Sequence, residues 1–179
     1  MNPEPEIPPK PKSNPWLLRA ALALFLIVLV VIFYPVYLSS RPAAKRSACI
    51  SNLKQLGMAM VLYLDEHDDH ACLNNWTDAL YPYVKNWRLY TCPSVQPKDA
   101  VAGAKPTVSG YAMNYRLVGA AMRTVNKDCA LLFETDALSP DVVASVNARN
   151  GRHDGKSSVL FTDTSARLVP IAEVVRDEP

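Results

Sequence analysis

The chain has 179 residues, a formal net charge of +2 and 15 prolines. That length holds one folded domain plus extras. The near-balanced charge, with no Lys/Arg cluster interleaved with aromatics, excludes a nucleic-acid surface.

Six of the prolines fall within the opening MNPEPEIPPKPKSNP. Such a segment cannot propagate a helix and has little to bury, so residues 1–15 read as a disordered tail. The composition then changes abruptly. Residues 16–38, WLLRAALALFLIVLVVIFYPVYL, carry Arg19 as their only charge, where its long side chain can snorkel to headgroups. These 23 residues exceed the roughly 20 that a helix needs to cross a bilayer. Trp16 at one end, with Tyr34 and Tyr37 at the other, resembles an interfacial aromatic belt. A cleaved signal peptide would have a shorter apolar core and a small-residue site after it, so the expectation is an uncleaved anchor kinked at Pro35.

Flanking charges do not orient the anchor: Lys10, Lys12 and Arg19 balance Arg41, Lys45 and Arg46. The cysteines do. Cys49, Cys72, Cys92 and Cys129 all follow the anchor, and none forms the C-x-x-C pair of a zinc or redox motif. Disulfides in an oxidising compartment are the simpler account, with buried thiols in a cytosolic domain as the alternative. The expected topology is therefore the N-terminus inside the cytoplasmic membrane and residues 39–179 as an extracytoplasmic, periplasmic head.

After Pro42, the residues Cys49, Ile50, Leu53, Leu56, Met60, Val61 and Leu64 recur at helical spacing. Gly57 costs about 1 kcal/mol against Ala in a helix, and facing inwards it would let a sheet approach closely. Residues 16–66 thus read as one long, interrupted helix. Downstream, WTDALYPYVKNW predicts a short helix with Trp76, Leu80, Tyr83 and Val84 on its apolar face. RLYTCPS reads as extended, and QPKDAVAGAKPTVSG as a loop. YAMNYRLVG, CALLFETD, SSVLFTD and ARLVPI are strand candidates.

An ordered series of motifs carries a family resemblance. A membrane helix ending in FYPVY leads through a basic patch into ACISNLKQLGMAM. PYVKN, a Cys-Pro pair, GYAMNY and finally His153, nine residues and Asp163 follow in order. Over roughly residues 26–169 the chain resembles the prepilin-like, pseudopilin-type family whose tail signature is His, nine residues, Asp-Gly. That resemblance implies an α+β, type IV pilin-like fold, with a long N-terminal helix packed on a small antiparallel sheet. It implies a structural or interaction role in a type II secretion or type IV pilus-like system, with other pilin-like subunits or secretion components and the lipid bilayer as partners. The chain departs from the family twice. WLLRAALALFLIV lacks the Gly and Glu of the usual cleavage and methylation site, which predicts retention of residues 1–15, and Thr164 stands where the signature has Gly.

Three groups of residues are candidate sites. In RHDGKSSVLFTD, Asp154-Gly155 is a strong turn dipeptide. His153 and Asp163 then fall at opposite ends of one strand, about 30 Å apart at ~3.3 Å per residue, and cannot form a catalytic dyad by themselves. They read as turn anchors. DEHDDH is the second group: Asp65, His67, Asp68 and His70 could offer oxygens to Ca²⁺ or nitrogens to Zn²⁺. This would make the chain a membrane-anchored ligand- or metal-binding module, although the EF-hand and H-E-x-x-H patterns are missing. A solvated helix terminus is the competing reading. No phosphate loop or nucleophile elbow occurs, and the chain is not read as an enzyme.

The cysteines are the third group. Cys49 and Cys92 occupy the two positions where the resemblance is strongest, and the expected pairing is Cys49–Cys92 with Cys72–Cys129. A Cys49–Cys72 bridge would need the chain to double back sharply after a helix end about 25 Å away. Cys49–Cys129 with Cys72–Cys92 stays open.

Overall fold

The computed structural model describes residues 14–95, 104–137, 139–176 and 178. Residues 1–13 of the expected 1–15 tail, and residues 96–103 of the expected loop, lie outside these; Pro15 belongs to the first helix and not to the tail. The chain divides into two compact units, Met1–Arg41 and Pro42–Pro179.

Helix α1 spans Pro15–Glu66 and passes through both Pro35 and Pro42 without a break. Its apolar part is long enough to cross a membrane, and its side chains there are exposed. At the end of the apolar run the Ser39 and Ser40 hydroxyls donate to the Val36 and Tyr37 carbonyls, each at 3.0 Å. Arg41 donates to the Tyr37 hydroxyl and lies over the same ring. The polar groups bordering the apolar segment are thus satisfied within the helix, which suits a lipid-facing element.

In the second unit α1 buries Cys49, Leu53, Leu56, Gly57, Ala59 and Met60. The expected face is therefore present but slightly rotated: Ile50 and Leu64 are half-buried, and Val61 is exposed. Gly57 explains the rotation. A Cβ there would come within 2.9 Å of Leu160 Cδ1, so the sheet approaches the helix at the one position without a side chain. Because Leu53 is fully buried, truncation to Ala is expected to cost about 2–5 kcal/mol. Chemical denaturation checks this; a loss below ~0.5 kcal/mol would place Leu53 on the surface instead.

The chain turns at Asp68 and Asp69, both with positive φ (51° and 64°), a region that Asp tolerates. The Asp69 amide donates back to the Leu64 carbonyl at 2.9 Å, closing the helix end. Helix α2, Trp76–Val84, forms as expected and buries Trp76, Thr77 and Leu80. Its N-cap, Asn75, makes no side-chain cap. Asp141 supplies one from a distant loop, its Oδ1 accepting from the Thr77 amide (2.8 Å) and hydroxyl (2.6 Å). The segment expected to be extended after α2 forms a 3-10 turn, Trp87–Tyr90, because the Asn86 side chain caps it by accepting from the Arg88 amide.

Five strands follow: β1 Tyr111–Asn114, β2 Ala130–Glu134, β3 Val143–Ala144, β4 Lys156–Phe161 and β5 Ala166–Pro170. They form one sheet in the order β3-β1-β2-β4-β5. The β1–β2, β2–β4 and β4–β5 pairings are antiparallel, as expected, but β3 runs parallel to β1. The sheet is therefore mixed, not antiparallel. Its α1-facing side carries Tyr111, Met113, Leu132 and Leu160. A second apolar cluster, including Ala112, Phe133, Val159 and Phe161, lies on the other side. Both faces are covered, which is why β1 and β2 are buried throughout and are mostly apolar.

Candidate functional site

One residue breaks the apolar run of β2. Glu134 pairs with Tyr111 across β1 and shares the α1-facing side with Leu132 by strand alternation. It is fully buried. Three groups meet its carboxylate. The Ser158 amide of β4 donates to Oε2 at 2.9 Å, so the side chain supplies the acceptor beyond the last β2–β4 residue pair. His153 Nε2 lies 2.9 Å from Oε1, and Cys92 Sγ lies 3.1 Å from the same oxygen.

His153 arrives by a tight turn. Asp154 and Gly155 both have positive φ (56° and 75°), and His153 and Lys156 exchange backbone hydrogen bonds of 3.2 and 3.1 Å. This is the geometry that favours an Asp-Gly pair. Cys92 arrives beside α1: Asn52 donates to the Thr91 carbonyl at 3.3 Å, and Cys92 is bonded to Cys49, one helical turn before Asn52. The expected Cys49–Cys92 disulfide is thus present, with Cα atoms 5.3 Å apart.

The expected Cys72–Cys129 disulfide is not formed. Cys72 faces Met113 Sδ at 3.8 Å, and Cys129 Sγ is met by the Asn114 side-chain amide at 3.8 Å. Both lie in the core, each directed to a neighbour on β1. Burial pushes the Cys72 thiol from 9.0 up to about 12, so it stays protonated at neutral pH. Alkylation of the native chain at neutral pH is expected to spare Cys72 until the head unfolds. Rapid labelling before unfolding, read by mass spectrometry, would contradict that.

The signature residues serve different ends of one hairpin. His153 is buried against Glu134, whereas Asp163 is exposed and its Oδ1 accepts from the Ser165 amide at 2.8 Å. The Ser165 hydroxyl helps to hold the Asp163 carboxyl below the usual carboxylate range. Thr164, in the signature's Gly position, has φ 67°. A β-branched residue pays about 1–2 kcal/mol in the left-handed region, partly offset by the greater freedom that Gly loses on folding. Thr164→Gly is therefore expected to stabilise the head by roughly 0.5–1 kcal/mol, seen as a higher denaturation midpoint. A lower midpoint would overturn this.

The acidic segment DEHDDH forms the helix-terminating turn. His67 stacks on Tyr63 with ring centroids 3.8 Å apart, and its Nδ1 is 2.8 Å from the Tyr63 carbonyl. His70 Nδ1 is 2.9 Å from the Asp68 carbonyl. Asp65 and Asp68 border a groove of about 710 Å³ with Asp163, Arg123 and Lys127. Among the described residues, the ligand atoms that converge as a set of three or more are not these. They are the sulfurs of Cys49 and Cys92, a Glu134 oxygen and a His153 nitrogen, all within 4.8 Å of one another. Sequence reasoning marked three of these residues but missed Glu134. Its signal was a lone acid at an inward position of an otherwise apolar strand.

Comparison with protein-family models, curated proteins and solved structures found no match.

Proposed function

We propose that the chain is a single-pass, membrane-anchored structural or interaction protein of pilin-like type, with no catalytic role. In this reading residues 1–15 stay in the cytoplasm and the head lies outside the cytoplasmic membrane. There it works as a minor component of a type II secretion or type IV pilus-like system, contacting the bilayer and other pilin-like subunits or secretion components.

The observation that carries this reading is helix α1. One element contains both an apolar span and the buried strip that packs beneath the sheet of an α+β head. The Cys49–Cys92 disulfide supports the compartment, because such bonds persist in oxidising surroundings. The exposed apolar side chains Met58, Val61 and Leu62 give α1 a further face for subunit contacts.

Protease treatment of intact spheroplasts and, in separate undigested membranes, cross-linking test the two parts. The expected result is loss of the head from outside, a protected fragment containing residues 16–38, and cross-linked species through residues 58–62. A head digested only after lysis would overturn the topology. Exclusively monomeric protein after cross-linking would overturn the assembly role.

A further inference from the structure

The geometry points to a second state of the Cys49–Cys92–Glu134–His153 cluster: with the disulfide reduced, the four side chains form a closed, structural zinc site. Zinc bonds of about 2.0–2.3 Å in a tetrahedron place neighbouring ligand atoms roughly 3.3–3.8 Å apart. Here Glu134 Oε1 already lies 2.9 Å from His153 Nε2 and 3.1 Å from Cys92 Sγ, and all four ligand atoms fall within 4.8 Å. The adjustment needed is small: the Glu134 oxygen draws back a few tenths of an ångström from its two neighbours, and the sulfurs separate once the bond between them is gone.

The chemistry selects the metal. Two thiolates with an imidazole and a carboxylate suit a borderline-soft, tetrahedral ion and disfavour Ca²⁺ or Mg²⁺. The burial selects the role. None of the four residues is more than 5% exposed, so the protein fills every coordination position and leaves none for water or substrate. The surroundings also resemble an outer ligand shell: Glu134 Oε2 is held by the Ser158 amide, and the Asp-Gly turn fixes the His153 backbone.

The balance is closed. A dithiol or phosphine reductant supplies two electrons and is itself oxidised. The reductant or water supplies the two protons with which Cys49 and Cys92 become thiols; Zn²⁺ then displaces both to solvent, and His153 binds through Nε2 with its ring proton on Nδ1. The disulfide ties α1 to the segment after the 3-10 turn, and the ion would tie both of these to Glu134 of β2 as well. This inference is independent of the topology proposed above, since it concerns the reduced chain wherever it occurs.

The test uses the full-length protein in detergent, reduced with a phosphine and titrated with Zn²⁺ or, as a spectroscopic stand-in, Co²⁺. The expected result is one ion per reduced chain, a thiolate-to-cobalt charge-transfer band with tetrahedral ligand-field bands, and no binding by the oxidised chain. Bound zinc should slow alkylation of Cys49 and Cys92, which needs no variant. The Cys72→Ser/Cys129→Ser protein should keep the site; Glu134→Gln should weaken binding at least tenfold while the reduced chain stays helical by circular dichroism. No uptake by the reduced chain, equal uptake by the oxidised chain, or loss of binding in Cys72→Ser/Cys129→Ser would each overturn the site.

Discussion

His153→Ala is expected to destabilise the head by about 3–5 kcal/mol, the cost of removing one partner from a buried acid–imidazole pair. Glu134 is fully buried, and without the imidazole its Oε1 keeps, among the described residues, the sulfur of Cys92 as its neighbour. The Ser158 amide would still satisfy Oε2, but one backbone donor does not replace a charged or polar partner in a dry site. With total stabilities of 5–15 kcal/mol typical of domains, the variant should populate unfolded head under mild denaturant. The pair itself need not be strongly stabilising. Replacing both residues, as Glu134→Met/His153→Leu, should recover part of the loss, because an apolar pair avoids desolvating either group, although the Ser158 amide then loses its acceptor. Denaturant midpoints of the three proteins decide the matter. A single-variant loss below ~1 kcal/mol would mean that water reaches the carboxylate and the site is not dry.

The second large effect concerns Cys49→Ala/Cys92→Ala in the oxidised protein, with an expected cost of about 4 kcal/mol. Closing a loop with sequence separation 43 removes that much chain entropy from the unfolded state in the simplest treatment. The loop encloses the end of α1, α2 and the 3-10 turn, so its release frees the elements that carry Trp76, Leu80 and Tyr90. The two effects should not add, because Cys92 and His153 touch the same carboxylate oxygen. Measuring the double cysteine variant in the His153→Ala background gives the coupling. A coupling of zero would show that the disulfide and the Glu134–His153 pair act independently despite their contact.

Much of the helix and sheet was legible because period and parity are local properties. Leu53, Leu56 and Met60 lie on the expected face, and Gly57 is where the sheet comes close. What the pattern could not show was set by distant partners. Val61 belongs to the same periodic series as Leu53, yet it is exposed, because the helix is turned to set Gly57 against the sheet. β3 is two residues long and pairs in parallel, and Val143–Ala144 has no alternation to mark it. Asp141 was unremarkable until it proved to cap α2 from 64 positions away. The cysteines divide the same way. Cys49 and Cys92 sit where α1 and the segment after α2 run side by side, whereas Cys72 and Cys129 are each turned towards β1 and not towards one another.

The borders of the sheet limit how copies of this chain can meet. One border is β3, only two residues long; the other is β5, which carries Arg167 and stops at Pro170. Short, charged and proline-ended borders are poor templates for another chain's backbone to hydrogen-bond alongside. Growth by adding strand to strand, the route by which sheets run on into fibres, is therefore blocked at both sides of this head. Any polymer built from such subunits would have to be held by side chains along its helices, and could come apart without breaking a single backbone ladder.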